Sequence, residues 1–138
     1  MIILDTNVIS ESIKPKPEPM VLRWLDRQAP VTLYYTTISA AELLAGFRLM
    51  PAGKRRTQLD SALADEIAAT FGNRILPFDA HAASFFGDVV AAANAAGNPI
   101  NFPDAAIASI ALAHDYMLAT RNQRDFNGVA VKLINPWS

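Results

Sequence analysis

The chain has 138 residues, the length of one compact domain with an ordinary core and too short for two. Apolar residues make up 51% and charged residues 18%, with 12 basic against 13 acidic, which excludes a disordered polar chain and a binder that relies on bulk positive charge. The absence of cysteine excludes disulfide frameworks, thiolate zinc sites and a cysteine nucleophile.

No apolar run approaches the ~20 residues of a membrane-spanning helix. The N-terminus lacks the basic and apolar segments of an export signal, so a cytoplasmic protein with no membrane association is expected.

Ile2–Leu4 reads as a buried strand, followed by a helical pattern to about Ile13 and by the breaker-rich loop KPKPEP at Lys14–Pro19. Met20, Val21, Trp24 and Leu25 recur at helical spacing and predict a helix over about Glu18–Gln28, ended by Pro30. Val31–Thr37, rich in β-branched and aromatic residues, predicts a second strand. It leads into the helix SAAELLAGFRLM, closed by Pro51 and Gly53, and then a helix over Lys54–Phe71 stopped by Gly72. Ile75–Pro77 is a third strand, and Asp79 caps an alanine-rich helix that finishes near Gly97. NPINFP is a loop, and Pro103 sits at the start of a helix that continues through DAAIASIALAHDY to about Tyr116. A fourth strand, Met117–Ala119, opens onto TRNQRDFNG, and a last strand spans Val131–Ile134.

Strands alternating with helices predict a single α/β domain, a three-layer α/β/α sandwich around a mostly parallel sheet. Ligand sites in such sheets lie beyond the carboxyl ends of the strands. Acids stand at those ends: Asp5 after the first strand, Glu42 in the helix after the second, Asp104 in the helix before the fourth, and Asp125 after the fourth with Asn122 nearby. Each also has a local explanation. Asp5 can cap the helix that begins at Thr6, and Ser39-Ala-Ala-Glu42 has capping-box spacing. Asp104 suits a first helical turn, and Asp125 can hold the turn at Asn127-Gly128. A cap needs no charge, however, whereas four gathered carboxylates repel one another and call for a cation such as Mg²⁺.

Competing chemistries are poorly supplied. His81 and His114 fall in predicted helices, where a surface or interface role is expected rather than catalysis, and neither a G-x-S-x-G elbow, a P-loop nor a G-x-G-x-x-G turn is present.

The segments LDTNVISE, TISAAELLAGF, PDAAIASIALAHDYMLATRNQRDF and the closing LINPW resemble, in this order, the PIN domain, and specifically the VapC/FitB-type toxins of bacterial toxin–antitoxin pairs. The resemblance spans essentially the whole chain. It implies a PIN-like fold and a Mg²⁺- or Mn²⁺-dependent endoribonuclease. By it Asp5, Glu42 and Asp104 match the acids that hold the metal, with Thr6, Asn7 and Thr120 orienting them or binding phosphate. Many members carry an acid two residues after the threonine, where this chain has Asn122, so the fourth place falls either to Asn122 or to Asp125, directly or through water. One ion in the free protein is therefore expected.

Arg48, Lys54, Arg55, Arg56, Arg121 and Arg124 are candidates for RNA phosphate contacts, with solvated charge as the alternative for each. The resemblance further implies a homodimer and a VapB/FitA-type antitoxin whose tail covers the active-site groove. Leu25, Leu43, Leu44 and Phe47 offer an apolar surface for an antitoxin helix, although core burial explains them as well. Two alternatives stay open: an RNA-processing nuclease that is not a toxin, and a non-catalytic module that uses the acidic pocket to bind a basic tail.

Overall fold

The computed structural model describes the backbone of residues 1–138, and every side chain except those of residues 70 and 71. Five short strands form one parallel sheet: β1 (Ile2–Leu4), β2 (Leu33–Thr36), β3 (Ile75–Leu76), β4 (Met117–Ala119) and β5 (Leu133–Ile134). Their order is β3-β2-β1-β4-β5. The chain builds outward from β1 through β2 to β3 and then returns to lay β4 on the other side of β1. The reversal falls between β1 and β4, where a crevice opens at the carboxyl ends of the strands.

Alternation along β1 assigns its side chains to two cores. Ile2 and Leu4 face one layer and pack with Val8, Val21, Leu33, Leu43, Phe47 and Leu63. These come from α1 (Thr6–Ile13), α2 (Pro19–Asp26), β2, α3 (Thr37–Leu49) and α4 (Lys54–Glu66). Ile3 faces the other layer with Val89, Ile107, Ile110, Leu118 and Phe126, under α5 (Ala80–Ala95) and α6 (Phe102–His114). The α6 run from Ala105 to Ala111 is buried all round, as expected of a helix apolar on every face. The layering is the α/β/α sandwich expected, and the sheet is wholly parallel. Among the described residues no helix is long and apolar enough to cross a membrane.

Several boundaries differ from the sequence reading. Pro30–Thr32 form a 3₁₀ turn with Val31 exposed, and Thr37 already belongs to α3, so the second strand shrinks to Leu33–Thr36. The third and last strands keep only two residues each: β2 ends at Thr36, opposite Leu76, and β5 pairs only with Leu118 and Ala119 of β4. The helix from Lys54 turns π-helical over Ile67–Phe71 before Gly72 ends it. Phe102, placed in a loop by the sequence, opens α6 because Asn101 caps that helix. The KPKPEP loop is held by Glu11, buried beneath it. Burial opposes the charge on Glu11, but hydrogen bonds from Lys14 Nζ (2.6 Å) and the Glu18 amide (3.1 Å) keep its carboxyl below the usual range.

Asp125 does not hold the Asn127-Gly128 turn. The segment is tied instead by Asn98, whose side-chain amide donates to the carbonyl of Arg124 at 3.0 Å. Gly128 has φ +90°, and a Cβ there would lie 2.5 Å from the Ala96 Cβ and 2.9 Å from the Ala92 carbonyl oxygen. Gly128→Ala is therefore expected to destabilise the protein by about 1–3 kcal/mol, read as a lower urea midpoint at unchanged slope.

Candidate functional site

Asp5 starts from a backbone fixed by the sheet, its amide donating to the Ala119 carbonyl at 2.9 Å. Its Oδ1 accepts from the Thr6 amide (2.8 Å), so the capping role is real. Its Oδ2 accepts from Thr120 Oγ1 (2.7 Å) and from Asn7 Nδ2 (3.4 Å). Thr120, fully buried after β4, in turn accepts from Asn7 Nδ2 and from the Asn122 amide, both at 3.2 Å. Asn7 closes the loop by accepting from the Arg121 amide through Oδ1 (3.2 Å). Asp5, Asn7, Thr120 and the Arg121 amide thus knit the turn after β1 to the turn after β4, and a carboxylate with both oxygens engaged has little freedom to rotate.

The capping box fails at Glu42. The cap of α3 is Thr36, whose hydroxyl accepts from the Ser39 amide at 3.1 Å. The Glu42 carboxylate points instead toward α1, where Oε1 accepts from Thr6 Oγ1 at 2.7 Å. Glu42 is therefore held by a residue beside Asp5, and the local signature gives way to a tertiary contact.

Asp104 lies in the first turn of α6, with its amide donating to Asn101 Oδ1 at 2.9 Å. Asp125 sits on a 3₁₀ turn, Gln123–Phe126, anchored in the core by Phe126. Asp5, Glu42, Asp104 and Asp125 all line one open cavity of about 380 Å³, together with Thr6, Asn7, Asn101 and Asn122. No lysine, arginine or histidine lines it.

The electrostatic consequence is a charge deficit. Burial pushes the Asp104 carboxyl up, and Asp5, Asp125 and Glu42 push it further, to about 6, against a hydrogen bond with Asn101. Burial also raises Asp5, which the Thr120 and Thr6 hydrogen bonds offset, while Glu42 and Asp125 act upward again. Among the described residues no three acids or histidines are drawn close enough to hold an ion as they stand. The donor set nevertheless suits a hard divalent cation: every polar group facing the cavity offers oxygen, none offers sulfur or imidazole, and the unbalanced charge is negative.

The basic candidates divide. Arg48 is taken up in an ion pair with Asp60 (3.2 Å), and Lys54, Arg55 and Arg56, at the start of α4, do not line the acidic cavity. Arg121 and Arg124 line an adjoining cavity. The apolar surface expected of Leu43 and Phe47 is corrected as well: each is 6% exposed and belongs to the core. An open depression of about 380 Å³ lies elsewhere, bordered by Leu22, Leu25, Pro30 and Leu33. His81 packs edge-on against Phe85 and His114 stacks on Tyr116, both away from the acids. Asn101 joins the site without being among the residues singled out in the sequence. Its signal is an N-cap pattern, an asparagine two residues before Pro103 and three before an acid.

The acidic cavity lies at the reversal point of a parallel α/β sheet, the place where ligands bind in open sheets of this kind. A family model described as PIN domain matches residues 2–132. The chain is 44% identical over 137 residues to VapC ribonuclease Y4jK of Sinorhizobium fredii, covering 99% of this chain and 98% of that one. It is 38% identical to Toxin FitB of Neisseria gonorrhoeae, covering 99% of each. The crystal structure of FitAcB from Neisseria gonorrhoeae superposes with a TM-score of 0.90 at 38% identity, again over 99% of each chain. This chain belongs to the PIN domain family and falls among its VapC/FitB-type toxins.

Proposed function

We propose that residues 1–138 work as one PIN domain that hydrolyses RNA phosphodiesters, depends on Mg²⁺ or Mn²⁺, and acts as the toxin of a toxin–antitoxin pair. The observation that carries the reading is the cavity lined by four carboxylates and no cation, in which Asp104 is pushed up to about 6. Similarity to a VapC ribonuclease supports RNA as substrate. Similarity to solved FitAB and VapBC complexes supports an antitoxin partner of the VapB/FitA type. A homodimer is part of the proposal.

In this reading Asp5, Glu42 and Asp104 hold the cation, and Asp125 is the fourth acid. When bound, the cation supplies an activated water nucleophile and neutralises charge developing on the phosphate. The chain's own residues do the positioning. Thr120, Asn7 and the Thr6 amide hold the Asp5 carboxylate in one orientation, and the Thr6 hydroxyl does the same for Glu42. Asn101 fixes the first turn of α6 and so the height of Asp104.

The test compares cleavage of single-stranded RNA by the wild type and Asp5→Asn, each with Mg²⁺ or Mn²⁺. Cleavage by the wild type and loss in the variant is expected; equal cleavage would remove Asp5 from the site. The toxin half of the proposal predicts that expression halts growth and that the co-expressed antitoxin relieves it.

Thr120→Val keeps the side-chain shape but removes the hydroxyl that donates to Asp5 and accepts from the Asn122 amide. As a positioning residue behind a ligand, it is expected to lower cleavage about 10–100-fold. Because the missing hydrogen bond favours the charged carboxylate, the acidic limb of the pH–rate profile should move to higher pH. An unmoved limb would mean that Thr120 does not tune Asp5.

A further inference from the structure

Beside the acidic cavity lies a second one of about 460 Å³, lined by Arg121, Asn122, Gln123, Arg124, Asp125 and Asn135. Asn122 and Asp125 border both, so the two are contiguous. Resting on the reading of the acidic cavity as an RNA-cleaving site, we infer that this second cavity is a subsite for an RNA phosphate flanking the one that is cut.

Two features carry the inference. The first is charge. Ion pairs among the described residues join Lys14 to Glu11 and Arg48 to Asp60, so neither Arg121 nor Arg124 is neutralised by direct contact with a carboxylate. Two guanidinium groups against the single carboxylate of Asp125 leave the lining of this cavity net positive, and they offer the planar donor forks that suit a phosphate.

The second feature is preorganisation. The Arg121 guanidinium lies 5.2 Å from the centre of the Trp137 ring, a cation–π arrangement that restrains its long side chain. Its backbone amide is tied to Asn7 Oδ1, and Asn7 also hydrogen-bonds Asp5. The backbone of Arg124 is held by the Asn98 side chain. An arginine fixed in this way gives up less freedom on binding than an ordinary surface arginine. Of the two residues that border both cavities Asn122 is neutral, and Asp125 is the one carboxylate that the two guanidinium groups face. The chain therefore places a cation-demanding pocket and an anion-demanding pocket side by side, which would fix the direction in which a single strand lies.

The experiment uses the full chain and fluorescein-labelled single-stranded RNA. Binding is followed by anisotropy across a salt series with EDTA present, and cleavage kinetics are measured separately with Mn²⁺. Arg124→Met and the double variant Arg121→Met/Arg124→Met are compared with the wild type. Arg23→Met, an exposed arginine on α2 outside both cavities, is the control.

The slope of log affinity against log salt should become shallower by about 0.7 for each phosphate that is no longer neutralised, and so by about 1.4 in the double variant. The KM for RNA should rise at least about tenfold in the double variant, more than kcat falls. Arg124→Met leaves the Arg121–Trp137 pair intact, so its slope reads the subsite even if removal of Arg121 disturbs folding.

Unchanged slope and KM in a wild-type background that does cleave would overturn the subsite alone. The same holds if only affinity for the antitoxin falls. Arginine-dependent RNA binding by a wild type that never cleaves would overturn the nuclease reading, and with it the placement beside a cut, and would leave the arginines as a phosphate-binding site only.

Discussion

Asp104→Asn is expected to lower metal-dependent RNA cleavage at least about 100-fold and, in the same molecule, to raise the stability of the metal-free protein at pH 7. The first half follows from its place among the four acids. Partners that merely support metal ligands are worth about 10–100-fold, so removal of a residue proposed to hold the metal itself should cost no less than the top of that range. The second half follows from electrostatics. Its carboxyl is raised from 3.8 to about 6 by burial and by Asp5, Asp125 and Glu42, which means that folding is penalised whenever Asp104 is charged.

The sign is fixed by linkage. Well below pH 3.8 Asp104 is neutral in both folded and unfolded chains, and wild type and variant should be equally stable. As pH rises from 3.8 toward about 6 the unfolded chain ionises first, so the wild type becomes less stable; above about 6 the effect is complete. Because Asp104 is only half-buried, solvent screens much of this, and a gain of about 1 kcal/mol is expected for the variant, or roughly 3 °C in Tm. Thermal melts at pH 4 and pH 7 with EDTA, alongside cleavage assays, measure both halves. A variant less stable than the wild type at pH 7 would show that the acids do not strain the fold.

The second substitution acts on the fold and the site together. Phe126 is 1% exposed, packs with Ile3 and Val131, and closes the 3₁₀ turn that carries Arg124 and Asp125. Phe126→Ala is expected to cost about 3–5 kcal/mol, through the apolar burial it gives up and the cavity left behind. For a chain of this length that is a fall in Tm of roughly 10 °C or more. Phe126→Leu should recover most of it, since it refills much of the space. Urea unfolding gives the stability, and a large midpoint change for Phe126→Ala with unchanged slope is the expected form. A change below about 1 kcal/mol would mean that the turn is not anchored through this ring.

The parts of the molecule visible in the sequence are those decided by local chemistry. Asp5 and Asp79 are readable as helix caps because an N-cap needs only its own side chain and the next amides. The order of elements follows from breakers and from β-branched runs, and parallel pairing follows from their alternation. Strand ends are less readable, since Val31 has strand propensity but stands before the first β2 residue that β1 pairs.

The candidate acids are visible as a set at strand ends, but their anchoring is not. Glu42 matches a capping box in its own helix, yet the contact that holds it comes from Thr6, 36 positions away. Helical spacing marks Leu43 and Phe47 as apolar without saying which side of the helix meets the core. The arginines separate for a similar reason. Arg48 finds Asp60 on the next helix, whereas Arg121 finds the ring of Trp137 near the C-terminus, and neither partner can be inferred from spacing along the chain.

What remains decisive is whether the four carboxylates act through a cation. The wild-type protein, stripped with EDTA, should leave single-stranded RNA intact, and re-addition of Mg²⁺ or Mn²⁺ should restore cleavage. Cleavage that continues at the same rate in EDTA, in a protein shown to be metal-free, would contradict the assignment of Asp5, Glu42 and Asp104 as metal ligands.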